Sequence, residues 1–303
     1  MVGADICGFG GITTEELCLR WMQLGSFYPF MRSHNGLEEP SQEPYVWPSV
    51  ARISRKFLKI RYSLLPYFYT LFYEAHSKGS TVWRPLFFEF PSLKQALVID
   101  RQFMVGSGLL LSPVLDPQTD FVKAFIPPGL WYDFYSEKLN FNITRSDGEY
   151  AYLRAPLEIL PILIRGGSIL PMQYPELTTA ATRRNNYYLV IALDKNGYAK
   201  GNLYLDDGES IDVGKNFTYI TFIVENHSLI LQCKDGCGYN NISKLDKIVI
   251  MGIEKNKTIK EVLLNENHIK GCCWLIDDNL EKLTLSNLDL SLNHPWNLTW
   301  DLS

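Results

Sequence analysis

Apolar residues recur at helical spacing through the first 80 positions. Leu17, Trp21, Leu24 and Tyr28 fall at i, i+4, i+7 and i+11, one face of a helix. Thr13-Thr14-Glu15-Glu16, just before them, reads as a capping box: the Thr13 hydroxyl accepts from the Glu16 backbone N–H and the Glu16 side chain reaches back. Phe27 to Arg32 is predicted to be a buried strand, ended by the polar run Ser33-His34-Asn35-Gly36. A second helix is predicted from about Ser49, after Pro48, to His76, with Ile53, Phe57, Ile60, Leu64 and Leu65 as its apolar stripe. Pro66 should kink it and Gly79 should end it. Strand end, helix, strand, helix is the alternation of a parallel α/β barrel.

After Gly79 the pattern shifts to short β-rich runs between Pro and Gly turns. The first set is Leu86–Phe90, Leu109–Val114, Val122–Ile126, Trp131–Phe134, Ile162–Ile164 and Ser168–Leu170. The second is Tyr188–Leu193, Gly201–Tyr204, Thr218–Val224, Ser228–Gln232, Lys247–Met251, Lys282–Leu285 and Leu298–Trp300. This spacing predicts antiparallel sandwiches. Pro175 and the polar stretch Thr178–Asn186 interrupt the pattern between the sets. The expected fold is therefore multidomain, α/β followed by all-β. Residues 1–80 form barrel-type β/α units, 81–175 a proximal sandwich and 176–303 a distal one.

Composition adds exclusions. An apolar fraction of 46% with 13% aromatics fits a packed globular chain rather than a disordered one. The 29 basic residues against 33 acidic ones, a net charge of −4, leave no electrostatic footprint for nucleic acid. The longest apolar run, around Ile159–Ile164, is broken by Pro161 and is far from the roughly 18 residues of a membrane span. The start, Met-Val-Gly-Ala-Asp-Ile-Cys, has neither the basic residues nor the apolar core of a signal peptide. Yet six Asn-X-Ser/Thr sequons occur, at Asn142, Asn216, Asn226, Asn241, Asn256 and Asn297, where chance predicts roughly two or three. Six cysteines, Cys7, Cys18, Cys233, Cys237, Cys272 and Cys273, lie in distant segments without a zinc-type spacing. Disulfides or buried free thiols are the two readings, and the pairing of the last four is open. Lumenal features without a leader predict that the protein begins upstream of this chain.

The densest cluster of chemistry is Val2-Gly-Ala-Asp-Ile-Cys-Gly-Phe9 with Phe30-Met-Arg-Ser-His-Asn35. Asp5 is expected at the C-terminal end of its strand, where barrel sites are built. Arg32 and His34, two apart, share a face of an extended segment and supply donors for sugar hydroxyls, while Phe9 offers an apolar face to a sugar ring. Bland alternatives stand beside each: Asp5 as a cap or ion-pair residue, Arg32 as its salt-bridge partner, His34 as a loop histidine. Cys7 and Cys18 have the spacing to clip the loop between strand and helix. Asp206-Asp207-Gly208-Glu209 reads as a hairpin turn, its ligand spacing not that of an EF-hand. Asp116, Asp120 and Asp133 read as loop acids.

Val2–Phe9 together with Glu15-Glu-Leu-Cys-Leu-Arg-Trp-Met-Gln-Leu-Gly-Ser-Phe-Tyr-Pro-Phe-Met-Arg-Ser-His-Asn35 resembles the last barrel segments of glycoside hydrolase family 31 α-glucosidases. The likeness is to the lysosomal acid α-glucosidase, maltase-glucoamylase and sucrase-isomaltase branch, which the Cys7/Cys18 pair favours. It continues through Arg84-Pro-Leu-Phe-Phe-Glu-Phe-Pro91, Ser112-Pro-Val-Leu115, Pro161-Ile-Leu-Ile-Arg-Gly-Gly-Ser-Ile-Leu-Pro171 and Tyr204-Leu-Asp-Asp-Gly-Glu-Ser210.

The resemblance implies the end of a (β/α)8 barrel followed by two antiparallel β-sandwich domains. It implies hydrolysis of terminal α-linked glucose from maltose-like oligosaccharides with retention, without metal or organic cofactor. Asp5, Arg32 and His34 would hold the non-reducing glucose, with Phe9 beside it. Retention needs a nucleophile and an acid/base roughly 5–5.5 Å apart. The family's nucleophile segment, Trp-x-Asp-Met-Asn-Glu, is absent from these 303 residues, as is its acid/base segment, so this chain is expected to hold no catalytic carboxylate. The expected partners are an α-glucoside oligosaccharide and the N-terminal part of the barrel. The expected location is the secretory pathway: lysosome, cell surface or outside. A different class of reading is a non-catalytic carbohydrate-binding remnant, with Trp83, Trp131, Trp274, Trp296 and Trp300 as sugar platforms.

Overall fold

Helix α1 spans Glu15–Gly25 and begins one residue later than the capping box suggested. Thr14, in extended geometry, is the N-cap: its hydroxyl accepts from the Leu17 N–H at 3.2 Å, and Glu15 and Glu16 place negative charge on the helix N-terminus. These features were obtained from a computed structural model that describes residues 2–269 and 271–302, without the side chains of 234–236.

The buried face of α1 is not the expected Leu17–Trp21–Leu24 stripe. Cys18, Leu19, Met22 and Gly25 are buried, Leu17 is exposed, and Trp21 and Leu24 are half-buried. Gly25 lies directly beneath Ile6, whose Cδ1 is 2.4 Å from where a Cβ would be. That close approach turns the Cys18–Gly25 face, not the Leu17 face, onto the Ile6 segment. The opposite side of α1 is held by polar groups. The Arg20 guanidinium, 7% exposed, donates to the carbonyls of Thr119 (3.0 Å), Ala155 (2.9 Å), Pro156 (3.0 Å) and Ile159 (3.5 Å). Gln23 donates to Leu157 O, and Glu16 accepts from the Gln118 N–H.

The predicted strand at Phe27–Arg32 does not form. Phe27 and Tyr28 N–H groups bond back to Leu24 and Gly25 carbonyls, extending the turn of α1, and Pro29 has no N–H to offer a ladder. Only a parallel bridge, Ile6 to Ser33, remains, with the Ile6 N–H donating to Arg32 O at 3.0 Å.

The single long helix expected from Ser49 to His76 is two: α2, Pro48–Ser63, and α3, Leu65–Lys78. A proline ring clashes with the carbonyl four residues back, here Tyr62, so α2 stops before Pro66 rather than bending through it. Pro66 sits instead in the first turn of α3, where its missing N–H costs nothing. Gly79 ends α3 at φ 69°, as its position predicted.

The strands follow in chain order: β1 Trp83–Arg84, β2 Phe103–Val105, β3 Leu109–Leu111, β4 Phe121–Ile126, β5 Gly129–Asp133, β6 Leu139–Ile143, β7 Glu149–Arg154, β8 Ile162–Arg165, β9 Ser168–Gln173 and β10 Tyr187–Ala192. They continue as β11 Ala199–Leu205, β12 Thr218–Glu225, β13 Ser228–Cys237, β14 Leu245–Met251, β15 Ile259–Leu264, β16 Asn267–His268, β17 Cys273–Asp277, β18 Lys282–Ser286 and β19 Trp296–Leu302. Leu86–Phe90, expected as a strand, is a short helix, α4, Leu86–Glu89. Leu86 and the C-cap residue Phe90, four apart, are buried, and Glu89 pairs with Arg84 at 2.5 Å. A helical turn buries that pair together, which outweighs the β preference of adjacent phenylalanines.

Two compact units result. The first comprises residues 1–62, 82–128 and 143–163; the second comprises 63–81, 129–142 and 164–303. In the first, β1–β2–β3 and β4–β7 are antiparallel sets. The second is built on an eleven-stranded sheet, in the order β16-β15-β19-β13-β12-β11-β9-β10-β14-β18-β17. Its inward residues from opposite ends share one core: Ile220 and Phe222 of β12 and Leu229 and Leu231 of β13 belong to the same apolar cluster as Ile248 and Ile250 of β14 and Leu283 and Leu285 of β18. The sheet is therefore curled upon itself, as a sandwich is. Pairing is mostly antiparallel, but β10–β14 and β9–β11 are parallel, a departure from the all-antiparallel expectation.

Helix α3 covers part of this sheet through aromatic and polar contacts. Tyr73 stacks on Tyr204 at 3.9 Å, and the Thr70 hydroxyl accepts from the Tyr204 N–H. Glu74 accepts from Asn202 and from Tyr219, and Tyr69 donates to both oxygens of Asp206 at 2.9 Å. Asp206 is 5% exposed and also accepts from Gly208 N–H, while Asp207 accepts from the Glu209 and Ser210 N–H groups. This acidic run thus lies in the 206–217 connection between β11 and β12, with the Asp206 and Asp207 carboxylates committed to protein donors.

Replacing Arg20 with Met removes the guanidinium donor from the Thr119, Ala155 and Ile159 carbonyls, while Pro156 O keeps the Ile159 N–H; urea denaturation should show a loss of about 3 kcal/mol. Burial, then the Asp206 carboxylate, raises the Tyr69 phenol to about 12. A raised folded-state pKa contributes stability that is complete below the ordinary tyrosine value of about 10 and lost as pH rises through about 12. The denaturation midpoint should fall across that window, and Tyr69→Phe should flatten the fall.

Candidate sugar-binding site

The first unit brings the two predicted segments side by side. Gly3 admits the Phe30 carbonyl so closely that any Cβ would lie 1.8 Å from its oxygen. The Phe30 N–H donates to Val2 O, and the Ile6–Ser33 bridge continues the alignment. Past Ile6 the backbone turns through positive φ at Cys7 (73°) and Gly8 (94°), a conformation that a non-glycine residue adopts only when its surroundings demand it. Here the demand is the Cys7–Cys18 disulfide, which ties the turn to α1.

Four side chains then meet in two pairs. Arg32 Nε donates to Asp5 Oδ1 at 2.5 Å, with the Asp5 side chain 19% exposed and Arg32 at 49%. The Arg32 guanidinium lies 5.6 Å from the centre of the Phe30 ring. The Phe9 and His34 rings sit 5.5 Å apart, inclined at 43°, and both residues are exposed. Carboxylate and guanidinium offer paired acceptors and donors, and Phe9 offers a ring face. That set suits a hydroxyl-rich neutral ring better than an anion.

Sequence reasoning passed over Gln42, which holds these segments together. It is 3% exposed, and its Nε2 donates to the carbonyls of Gly8 (2.8 Å), Ile6 (3.3 Å) and His34 (3.3 Å). Glu39 caps the same loop by accepting from Gly11 N–H, and Gly36 N–H donates to Phe9 O. No local pattern marks Gln42, because its partners are 8 to 36 residues away. A separate cavity of about 770 Å³ lies on the Arg20 side of α1, lined by Glu16, Arg52, Lys56, Asp120 and Glu158 among others, and shares no residue with Asp5, Phe9, Arg32 or His34.

Cys233 and Cys237 form a second disulfide within β13, while Cys272 and Cys273 are unpaired. Of the five tryptophans named as platforms, Trp131, Trp296 and Trp300 are buried, Trp83 is half-buried, and Trp274 is exposed. Among the described residues there is no group of three or more His, Cys, Asp or Glu placed to hold a metal, and no helix long and apolar enough to cross a membrane.

With that geometry in place, comparison with known proteins is decisive. The family model for the glycosyl hydrolases family 31 TIM-barrel domain matches residues 1–71, and that for the family 31 C-terminal domain matches residues 79–170. The chain belongs to glycoside hydrolase family 31. An uncharacterised family 31 glucosidase of Schizosaccharomyces pombe is 44% identical over all of this chain and 30% of its own length. The lysosomal α-glucosidase of Rattus norvegicus is 40% identical over 95% of this chain and 32% of its own. The crystal structure of glucosidase II α subunit, in a Tris-bound form, superposes with a TM-score of 0.88 at 29% identity, over 99% of this chain and 34% of that one. This family 31 chain thus spans about a third of the length of the relatives it matches.

Closing the Cys7–Cys18 loop should contribute on the order of 3 kcal/mol. The double substitution Cys7→Ser/Cys18→Ser should lower the thermal midpoint, and amide hydrogen exchange should rise first in residues 5–12.

Proposed function

We propose that this chain supplies the sugar-holding wall of a retaining α-glucosidase. In this reading Asp5, Arg32 and His34 hold the non-reducing glucose by its hydroxyls, and Phe9 packs beside the ring. The observation that carries it is the joining of Asp5 to Arg32 and of Phe9 to His34 across the Ile6–Ser33 bridge, in the region matched by the family's barrel domain. The nucleophile and the acid/base belong to barrel segments whose motifs do not occur in this sequence. Residues 1–80 are then the last β/α units of that barrel, 81–175 a proximal and 176–303 a distal sandwich. The reaction needs no cofactor: two carboxylates from the remaining barrel would act on the bond that this wall positions.

Exposed apolar side chains in the first unit support a larger barrel. Val2, Ile12, Leu37 and Tyr45 are each at least three-quarters exposed, an arrangement that a neighbouring barrel segment would relieve. The six sequons, the Cys7–Cys18 bridge and a relative named for the lysosome support a secretory location.

The 303-residue chain is expected to release no glucose from maltose. A polypeptide extended upstream to the length of its relatives should release it, and there Asp5→Ala should lower kcat/KM by about 100-fold or more, near 3 kcal/mol of transition-state stabilisation. Glucose release by the 303-residue chain itself would refute the assignment of both acids to other barrel segments.

A further inference from the structure

All six sequons fall in the second unit, and the first, which holds Asp5, Phe9, Arg32 and His34, contains none. Their surroundings differ sharply. Asn142, Asn216, Asn226, Asn256 and Asn297 are exposed. Asn226 forms the tight turn between β12 and β13 with His227, both at positive φ (49° and 57°), and Asn256 stands at φ 58° in the turn after β14. Asparagine tolerates that conformation, and it throws the side chain outward from the strand ends. Asn297 lies on β19, whose neighbours Trp296 and Leu298 are buried, so alternation turns Asn297 away from the core.

Asn241 is different. Its Nδ2 donates to the carbonyl of Ser243 at 2.7 Å, its backbone N–H donates to Asn293 Oδ1 at 2.9 Å, and its carbonyl accepts from Asn293 Nδ2 at 2.8 Å. Asn241 is half-buried, and Ser243, the hydroxyl residue of the same sequon, is buried. Attachment at this Nδ2 competes with its bond to the Ser243 carbonyl, on a half-buried residue whose backbone Asn293 holds in place.

We infer that the fold accepts N-linked glycans at Asn142, Asn216, Asn226, Asn256 and Asn297, and that Asn241 stays bare. The donor class is an oligosaccharyl diphospholipid. The Asn Nδ2–C1 bond forms, the C1–O bond to the diphosphate breaks, Nδ2 loses a proton and the lipid diphosphate leaves. Two sites are coupled in space: the Ser228 hydroxyl of the Asn226 sequon donates to Asn297 Oδ1, and Ser228 pairs with Thr299 of the Asn297 sequon. Their two glycans would stand together over the β13–β19 pair, on the unit that does not hold the sugar-binding side chains. This placement rests on the secretory reading above.

The test is site mapping of the full chain, secreted from a eukaryotic host behind a cleavable leader. The glycans are removed by peptide:N-glycosidase F in 18O-water, and the peptides are sequenced by mass spectrometry. Labelled aspartate is expected at the five exposed positions and unlabelled asparagine at 241. Labelling at Asn241 comparable to the others, or bare asparagine at the exposed five, overturns the inference. The same mapping on protein from its natural source separates the two readings: five glycans in the secreted chain with none in the natural one would refute the secretory location and leave the site selection standing. Wild-type mapping needs no folded variant. As a second readout, Asn226→Gln should remove one glycan from the gel mobility and Asn241→Gln none.

Discussion

The first unit turns on one buried guanidinium. Arg20 puts a fixed fork of donors among four carbonyls from residues 119 and 155–159, irregular segments that no strand partner serves. Desolvation lowers its pKa, and the nearby Glu16 and Asp120 work the other way. The consequence is directional. With one side of α1 fastened to these loops, its opposite side, Cys18 to Gly25, must face the Ile6 segment. That places Cys18 within bonding reach of Cys7 and slides Ile6 over the bare Gly25. The turn at Cys7–Gly8, and with it the positions of Asp5 and Phe9, follows from a contact on the far side of a helix.

The candidate site inherits its order from that frame. Asp5 and Phe9 come from one side of the Ile6–Ser33 bridge and Arg32 and His34 from the other, and Gln42 binds carbonyls of both. A wall that holds a neutral ring needs donors and acceptors whose rotamers are set beforehand, because each freely rotating side chain would lose entropy on binding. The Asp5–Arg32 pair supplies such constraint, although as a partly exposed ion pair it adds little to stability. In the proposed site its value would lie in orientation.

The second unit solves a different problem. A sheet of eleven strands has two edges and two faces, and curling lets its ends share one core. Helix α3 covers part of the rest, and the contact is unusually polar. Tyr69, Tyr219, Glu74, Asn202 and Asp206 satisfy one another, which makes the acidic run after β11 part of a packing interface. From sequence, Asp206-Asp207-Gly208-Glu209 read as a hairpin turn.

Several features were present in the residues alone. The family likeness was carried by the quoted motifs, and the change from helices to strands near residue 80, most strand positions and the four candidate site residues could be picked out from hydrophobic period and motif spacing. Those signals are short-range, and short-range signals survive in a linear string. What they could not carry was orientation. Leu17, Trp21 and Leu24 have as good a helical period as Cys18, Met22 and Gly25, and only the fit of Gly25 under Ile6 and the anchoring of Arg20 choose between them. Phe27–Arg32 has strand composition, yet Pro29 and the bonds back to α1 deny it a ladder. Gln42 has no pattern at all and still spans the two site segments. The sequence by itself determined most of the elements, with Phe27–Arg32 and Leu86–Phe90 the exceptions, and gathered the candidate chemistry near the N-terminus. Which face turned inward, and which polar groups met, was decided by tertiary contacts between residues tens of positions apart, because burial and hydrogen-bond satisfaction are properties of the packed chain and not of any window along it.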